Sequence, residues 1–226
     1  MALIVKICGL STPPALEAAL DAGADMVGFV FFPASPRHLG YDAAHALGER
    51  VASRAQKVAL SVDAGDEELA ASIAALKPDF LQLHGKETPE RVAAVRARFS
   101  LPVIKALPIA EPADLAAVRL YEKVADRLLF DARAPGEATR PGGLGRTFDW
   151  HLLERLDVAV PFMISGGLDC ENVAQALEIT RAQAVDVSSG VERAPGEKDP
   201  DKIRRFITEA RAAREGEEVA KLMSSG

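Results

Sequence analysis

Basic excess is missing from this sequence. Its 27 Lys and Arg residues are outnumbered by 33 Asp and Glu, for a net charge of −6, so there is no cationic footprint for a nucleic-acid backbone and nucleic acid is not expected as a partner. An anionic small molecule is still compatible, because local fields at strand ends and helix N-termini override global charge. Cysteine is nearly absent. Cys8 and Cys170 are the only two, with no CxxC and no His/Cys cluster at ligand spacing, which argues against a disulfide scaffold, a zinc module or any other metal site. No apolar run reaches the length of a membrane span. The N-terminal MALIVKICGL carries one early lysine and no small-residue cleavage site, so it reads as a buried strand and not as a signal peptide. A cytoplasmic location without membrane contact is expected. The first strand–turn, KICGLSTP, also lacks GxGxxG, which removes the usual support for a dinucleotide fold.

What is present is a regular alternation. With 226 residues, 48% apolar and 27% charged, the chain has the size and composition of one domain with a proper core. Apolar runs of strand length begin near Leu3 (LIVKI), Met26 (MVGFVF), Lys57 (KVALSV) and Phe80 (FLQLH), and continue near Pro102 (PVIKAL), Arg127 (RLLFD), Pro161 (PFMIS) and Ala184 (AVDVS). Their spacing, roughly 20–35 residues, is that of one βα unit. Helical periodicity fills the gaps, as over Pro14–Ala22, Asp66–Leu76 and Pro89–Phe99, with Asp42, Asp66 and Thr88 as candidate N-caps and Gly23 as a stop. Near-continuous apolar strands alternating with helices predict a parallel sheet covered on both faces. A doubly wound open sheet is the competitor; a single-domain α/β fold of the (β/α)8 TIM-barrel type over residues 1–214 is favoured, with 215–226 as a polar C-terminal tail or helix extension. The Gly/Pro-rich segment 132–146 after the sixth strand is long enough to be a binding loop or lid.

A barrel puts its chemistry at the C-terminal ends of its strands. Those positions hold Cys8, Arg37, Asp63, His84, Asp131, Ser165–Gly167 and Asp186–Gly190. Cys8 reads either as a small buried hydrophobe or as a thiolate base. Lys6, two residues earlier and therefore on the same face, offers a cation for that thiolate or a partner for Asp186. Asp131 reads as a turn former or as a general acid whose proton is retained by partial burial. Gly166 and Gly167 after the seventh strand, and Ser189 and Gly190 after the eighth, together suggest a phosphate site, with a following helix N-terminus adding its dipole. Arg37, between prolines, is either a solvated charge or an arginine presented to a carboxylate. His84 reads as a capped strand-end residue, Cys170 as structural, and His38, His45 and His151 as peripheral.

With these residues in hand, the sequence resembles the phosphoribosylanthranilate isomerase family. The resemblance is carried in order by KICG, GADMVGFVFFPASPR, LQLHG, VIKAL, GGLGRTFDW, ISGGL-x-x-ENV and VDVSSGVE-x-x-PG-x-KD. It implies an Amadori rearrangement of N-(5′-phosphoribosyl)anthranilate in tryptophan biosynthesis, with Cys8 as general base and Asp131 as general acid. Arg37 and Asp186 then lie around the anthranilate and the reacting centre, and Gly167 with Ser189–Gly190 in the phosphate loops. No metal or organic cofactor is implied, and the partner is a phosphorylated small molecule bound by a monomer or homodimer. Leu144 stands where the family commonly has threonine, Ser165 where alanine is usual, and ALSVDAG replaces VGVFVN in the third strand. Other phosphate-binding barrels and a non-catalytic sugar-phosphate module are the rival readings; the latter would need neither Cys8 nor Asp131.

Overall fold

The computed structural model describes residues 2–136, 138 and 140–224, with side chains described to residue 216. Eight parallel strands follow one another around a closed barrel: β1 (Ile4–Cys8), β2 (Met26–Phe31), β3 (Gln56–Ser61), β4 (Phe80–Leu83), β5 (Val103–Ile109), β6 (Arg127–Ala132), β7 (Phe162–Ile164) and β8 (Ala184–Val187). β8 returns to β1, with Lys6 level with Asp186, which closes the ring and leaves no open edge. The barrel therefore displaces the open sheet as the answer to the alternating pattern.

Period-two alternation sorts each strand into two faces. Val5, Ile7, Val27, Phe29, Leu81, Val103, Leu128, Phe130 and Val185 pack outward into the main core beneath the helices. Met26, Val58, Ile104, Ala106, Leu129, Met163 and Ala184 form a separate apolar cluster that fills the barrel interior. Higher in the barrel the interior turns polar, at Lys6, Gln82 and Asp186, all buried. Cys8, Val30 and Leu60 form a small apolar cluster of their own nearer the mouth.

The helices α1 (Pro13–Asp21), α2 (Tyr41–Val51), α3 (Asp66–Leu76), α4 (Pro89–Phe99), α5 (Val118–Tyr121), α6 (Val173–Thr180) and α7 (Pro200–Ser224) cover the outside. Thr88 caps α4 by accepting the Arg91 N–H, and Gly23, at φ +82°, follows the end of α1 as the expected stop. Two expected caps are corrected. Asp42 and Asp66 lie inside the first turns of α2 and α3, and the caps are Gly40 and Gly65; a glycine costs little there, and both acids still favour the helix dipole. The units are also less uniform than the pattern predicts. Among the described residues no α-helix follows β6, where the 3-10 turn Trp150–Leu153 takes its place, and α5 is a short continuation of the 3-10 turn Pro112–Ala117. After β8 the chain forms a small hairpin, β9 (Glu192–Ala194) and β10 (Glu197–Lys198), before α7. That last helix carries residues 215–224 of the expected tail or extension; 225 and 226 lie outside the described residues. Among the described residues, no helix is long and apolar enough to cross a membrane.

Candidate active site

A cavity opens at the C-terminal mouth of the barrel, and Cys8, Asp131, Arg37, Asp186, Gly166, Gly167 and Ser189 all line it. These residues come from strands or loops one, two, six, seven and eight, and closure of the sheet is what brings them together. Gly190 is not on the wall. It packs against the backbone of Leu168 and Asp169, an approach that a Cβ would block, so it joins loop eight to loop seven. Asp63 does not line the cavity either: its carboxylate accepts the Lys86 N–H at 2.6 Å and joins the loops after β3 and β4. Leu144 and Ser165, both departures from the family pattern, do line the wall, as does Val62 of the altered third-strand segment. Loop 132–146 supplies Arg140, Gly142 and Gly143 to the same wall; residues 137 and 139 lie outside the described residues.

Lys6 faces the interior and donates to Asp186 Oδ1 at 2.8 Å, with both side chains buried. Gly28 on the neighbouring strand explains how they fit. A Cβ there would lie 2.9 Å from Cys8 Sγ and 3.2 Å from Lys6 Nζ, so a hydrogen at this position leaves the ammonium and the sulfur side by side. Burial by itself lowers the proton affinity of Lys6, but Asp186 and Cys8 more than offset it and its pKa is raised. Lys6 takes the second of its expected roles as the partner of Asp186, and its charge also favours the Cys8 thiolate, but not by enough to lower the thiol overall. Burial pushes the Cys8 thiol up, and the opposing pull of Lys6 and Lys198 does not compensate. The proton affinity of Cys8 therefore lies above that of an ordinary thiol.

Asp131 is held by two donors. Its Oδ1 accepts the Ala132 N–H at 2.9 Å, and its Oδ2 lies 3.0 Å from Nε2 of His84. His84 is therefore no cap: it reaches into the cavity wall and pairs with the candidate acid. His38, His45 and His151 are exposed, as expected.

Arg37 is buried and does not present its whole guanidinium to the cavity. Nε and Nη2 form a two-pronged pair with Glu192 at 2.7 and 2.8 Å, and Nη2 also donates to the Gly143 carbonyl at 3.2 Å. Glu192 in turn accepts from Lys198 Nζ at 2.7 Å, and Lys198 donates to the Ser188 carbonyl at 2.8 Å. Ser188 closes the chain by donating its hydroxyl to the Cys8 carbonyl at 3.1 Å. Burial, with Arg37 nearby, lowers Lys198 to about 8 although Glu192 pulls the other way. Two cations share one carboxylate here, which leaves a buried positive charge beside the glycine loops and suits an anionic ligand. Sequence reasoning missed Glu192 and Lys198, because a charged hairpin after the last strand looks like solvated surface. The helix expected after loop seven starts late, although its N-cap residue Asn172 donates to the Gly167 carbonyl at 2.9 Å. α6 starts only at Val173, beyond a turn in which Cys170 lies, and loop eight leads into the single 3-10 turn Ser189–Val191. The groups near loops seven and eight that could favour an anion are backbone amides and the buried cations Arg37 and Lys198. Among the described residues, no group of three His, Cys, Asp or Glu side chains is arranged to hold a metal ion.

A parallel (β/α)8 barrel with a polar cavity at its C-terminal mouth and glycine loops after its last two strands has the architecture of barrel enzymes that act on phosphorylated small molecules. Residues 5–209 match the family model described as N-(5′-phosphoribosyl)anthranilate (PRA) isomerase, and the chain belongs to that family. It is 62% identical to the N-(5′-phosphoribosyl)anthranilate isomerase of Rhodopseudomonas palustris strain BisB5 over 215 residues, 95% of this chain and 99% of that protein. It is also 62% identical to the isomerase of Bradyrhizobium diazoefficiens, covering 95% of this chain and 96% of the relative. Among solved structures, the phosphoribosyl anthranilate isomerase of Thermotoga maritima superposes with a TM-score of 0.82 at 33% identity, covering 93% of this chain and 99% of that one. A phosphoribosyl anthranilate isomerase in complex with reduced 1-(o-carboxyphenylamino)-1-deoxyribulose 5-phosphate superposes at 0.78 and 31% identity, again covering 93% and 99%.

Proposed function

We propose that this chain catalyses the Amadori rearrangement of N-(5′-phosphoribosyl)anthranilate to 1-(o-carboxyphenylamino)-1-deoxyribulose 5-phosphate in tryptophan biosynthesis. One observation carries the reading: Cys8 and Asp131, from opposite parts of the strand order, line a single cavity together with Arg37 and the glycine loops. Asp131 gives its proton to the furanose ring oxygen as the bond from that oxygen to C1′ breaks and the nitrogen lone pair forms the iminium. Cys8, as thiolate, then removes the C2′ proton to give an enolamine that tautomerises to the ketone. Its raised proton affinity limits how much thiolate is present but strengthens the base, and the cationic iminium and Lys6 favour the thiolate at the step where it is needed. Arg37, fixed by Glu192, faces the anthranilate carboxylate, and Asp186 holds Lys6 beside the reacting centre. Gly166, Gly167, Ser189 and Gly190 form the phosphate site, Gly190 by fixing loop eight against loop seven.

The reaction uses acid and base groups of this chain and needs no metal or organic cofactor. The barrel domain spans 1–214 with 215–226 as its extension, and it works in the cytoplasm as a monomer or homodimer; a Thermotoga maritima relative is a dimer. The test is loss of substrate fluorescence on rearrangement. Turnover by the parent chain is expected, with Cys8→Ala and Asp131→Ala each slower by about 10²–10⁴-fold and unchanged in thermal unfolding. A parent chain that leaves the fluorescence intact refutes the function, and normal turnover in either variant refutes that residue's role.

A further inference from the structure

The acid–base reading leaves Gln82 and His84 unused, although they carry an unusual arrangement. Lying two residues apart at the end of β4, they share its interior face. Nε2 of Gln82 is 3.0 Å from Nδ1 of His84, whose Nε2 is 3.0 Å from Oδ2 of Asp131. Gln82 is fully buried, and its Oε1 has no hydrogen-bond partner. An orphaned acceptor beneath a cavity is a cost that packing alone does not explain. Above the pair, a Cβ on Gly142 would fall 2.5 Å from Asp131 Oδ2 and 2.8 Å from His84 Nε2, so the loop backbone closes directly over their contact.

The donor pattern fixes the chemistry. With the Gln82 amide donating, Nδ1 accepts and the ring proton sits on Nε2, aimed at Asp131. We propose that His84 is a positioning residue for Asp131: locked by Gln82 as a neutral Nε2–H imidazole, it aims the carboxyl group and stabilises the carboxylate left when the proton goes to the ring oxygen. This rests on the reading of Asp131 as the acid. The Asp131 proton moves to the oxygen that keeps the electron pair of the breaking bond to C1′, and the His84 proton stays on Nε2 throughout. A neutral donor binds a carboxylate more strongly than a carboxyl group. The contact therefore strengthens toward the transition state and acts on kcat, leaving KM almost unchanged.

The test uses the full chain with the phosphoribosylated anthranilate. His84→Leu is expected to lower kcat by about 10- to 100-fold with KM within about two-fold. His84→Gln, whose amide places a donor near the same point, recovers most of that loss. Placed on Asp131→Asn, His84→Leu adds little, because the two act as one unit. An unaltered kcat in His84→Leu, no recovery in His84→Gln, or full additivity with Asp131→Asn overturns the proposal while Asp131→Asn is itself impaired. Full turnover by Asp131→Asn overturns the acid assignment and this proposal with it. Independently of how the variants fold, ¹⁵N shifts of His84 in the parent protein at pH 7 should show an unprotonated Nδ1 and a protonated Nε2; an imidazolium overturns the proposal.

Discussion

Two lysines in this barrel are buried against carboxylates at nearly the same distance, Lys6 on Asp186 at 2.8 Å and Lys105 on Glu87 at 2.7 Å. They differ in which side of the sheet they occupy. Lys105 shares its face of β5 with Val103, Leu107 and Ile109, which pack under the helices. Its remaining donors go to the carbonyls of Leu83 and Gly85, at 3.2 and 2.7 Å, while Glu87 also accepts the Asp63 and Gly85 N–H groups. That pair ties the β3, β4 and β5 ends together and does not line the mouth cavity. Lys6 is in the interior, with Asp186 as its partner and the Cys8 sulfur alongside. Burial wins over Glu87 and lowers Lys105, whereas Asp186 and Cys8 win over burial and raise Lys6. Similar ion pairs thus sit in two settings, one marked by backbone saturation and the other by the adjacent sulfur of the proposed base.

Turnover should separate them most sharply. Lys6→Met is expected to lower kcat by about 100-fold or more, while Lys105→Met turns over like the parent once corrected for folded protein. Urea unfolding supplies the counterpart: each change strands a buried carboxylate and costs about 3–5 kcal/mol, with Lys105→Met at the lower end because Glu87 keeps its backbone donors. Equal turnover in the two variants breaks the comparison.

The next effect extends it to a third buried group, the Arg37–Glu192–Lys198 cluster. Glu192→Gln removes the charge that holds Arg37 and is expected to raise KM about ten-fold, roughly the effect of losing one charge-assisted contact. The increase should vanish with a substrate analogue that lacks the ring carboxylate. A KM change of the same size with both substrates places Arg37 elsewhere.

The smallest effect is read from the thiol. Burial raises Cys8 above 9.0, its ordinary value, which favours the thiol over the thiolate at pH 7. Alkylation by iodoacetamide, which needs the thiolate, should be slow at neutrality and accelerate as pH climbs past 9. Lys6→Met should move that acceleration to still higher pH, because a cation favouring the thiolate has gone. Lys105→Met should leave it in place, and a shift there would make the two lysines equivalent after all.

Much of the site was legible because strand chemistry is local. FLQLH and RLLFD show polar residues at the ends of apolar runs, and the two-residue step from Lys6 to Cys8 puts both on one face. The same rule, applied to Gln82 and His84, held a signal that the reading of His84 as a cap passed over. Glu192 and Lys198 stand as fixed positions in VDVSSGVE-x-x-PG-x-KD, but no role could be read for them, since their burial depends on a hairpin folding back over loop eight. The caps at Gly40 and Gly65 went unread for a related reason: a glycine cap has no side chain to announce it.

By itself, then, the order of residues determined the eight alternating units, which residues stand at strand ends, and which side chains share a face, because backbone periodicity is set within a few residues. Tertiary structure alone decided that Cys8 and Asp131 open into one space, that Lys6 meets Asp186 across 180 positions of chain, and that the thiol's proton affinity rises. Those outcomes depend on ring closure and on how completely water is excluded, and neither is a property of any local stretch of sequence.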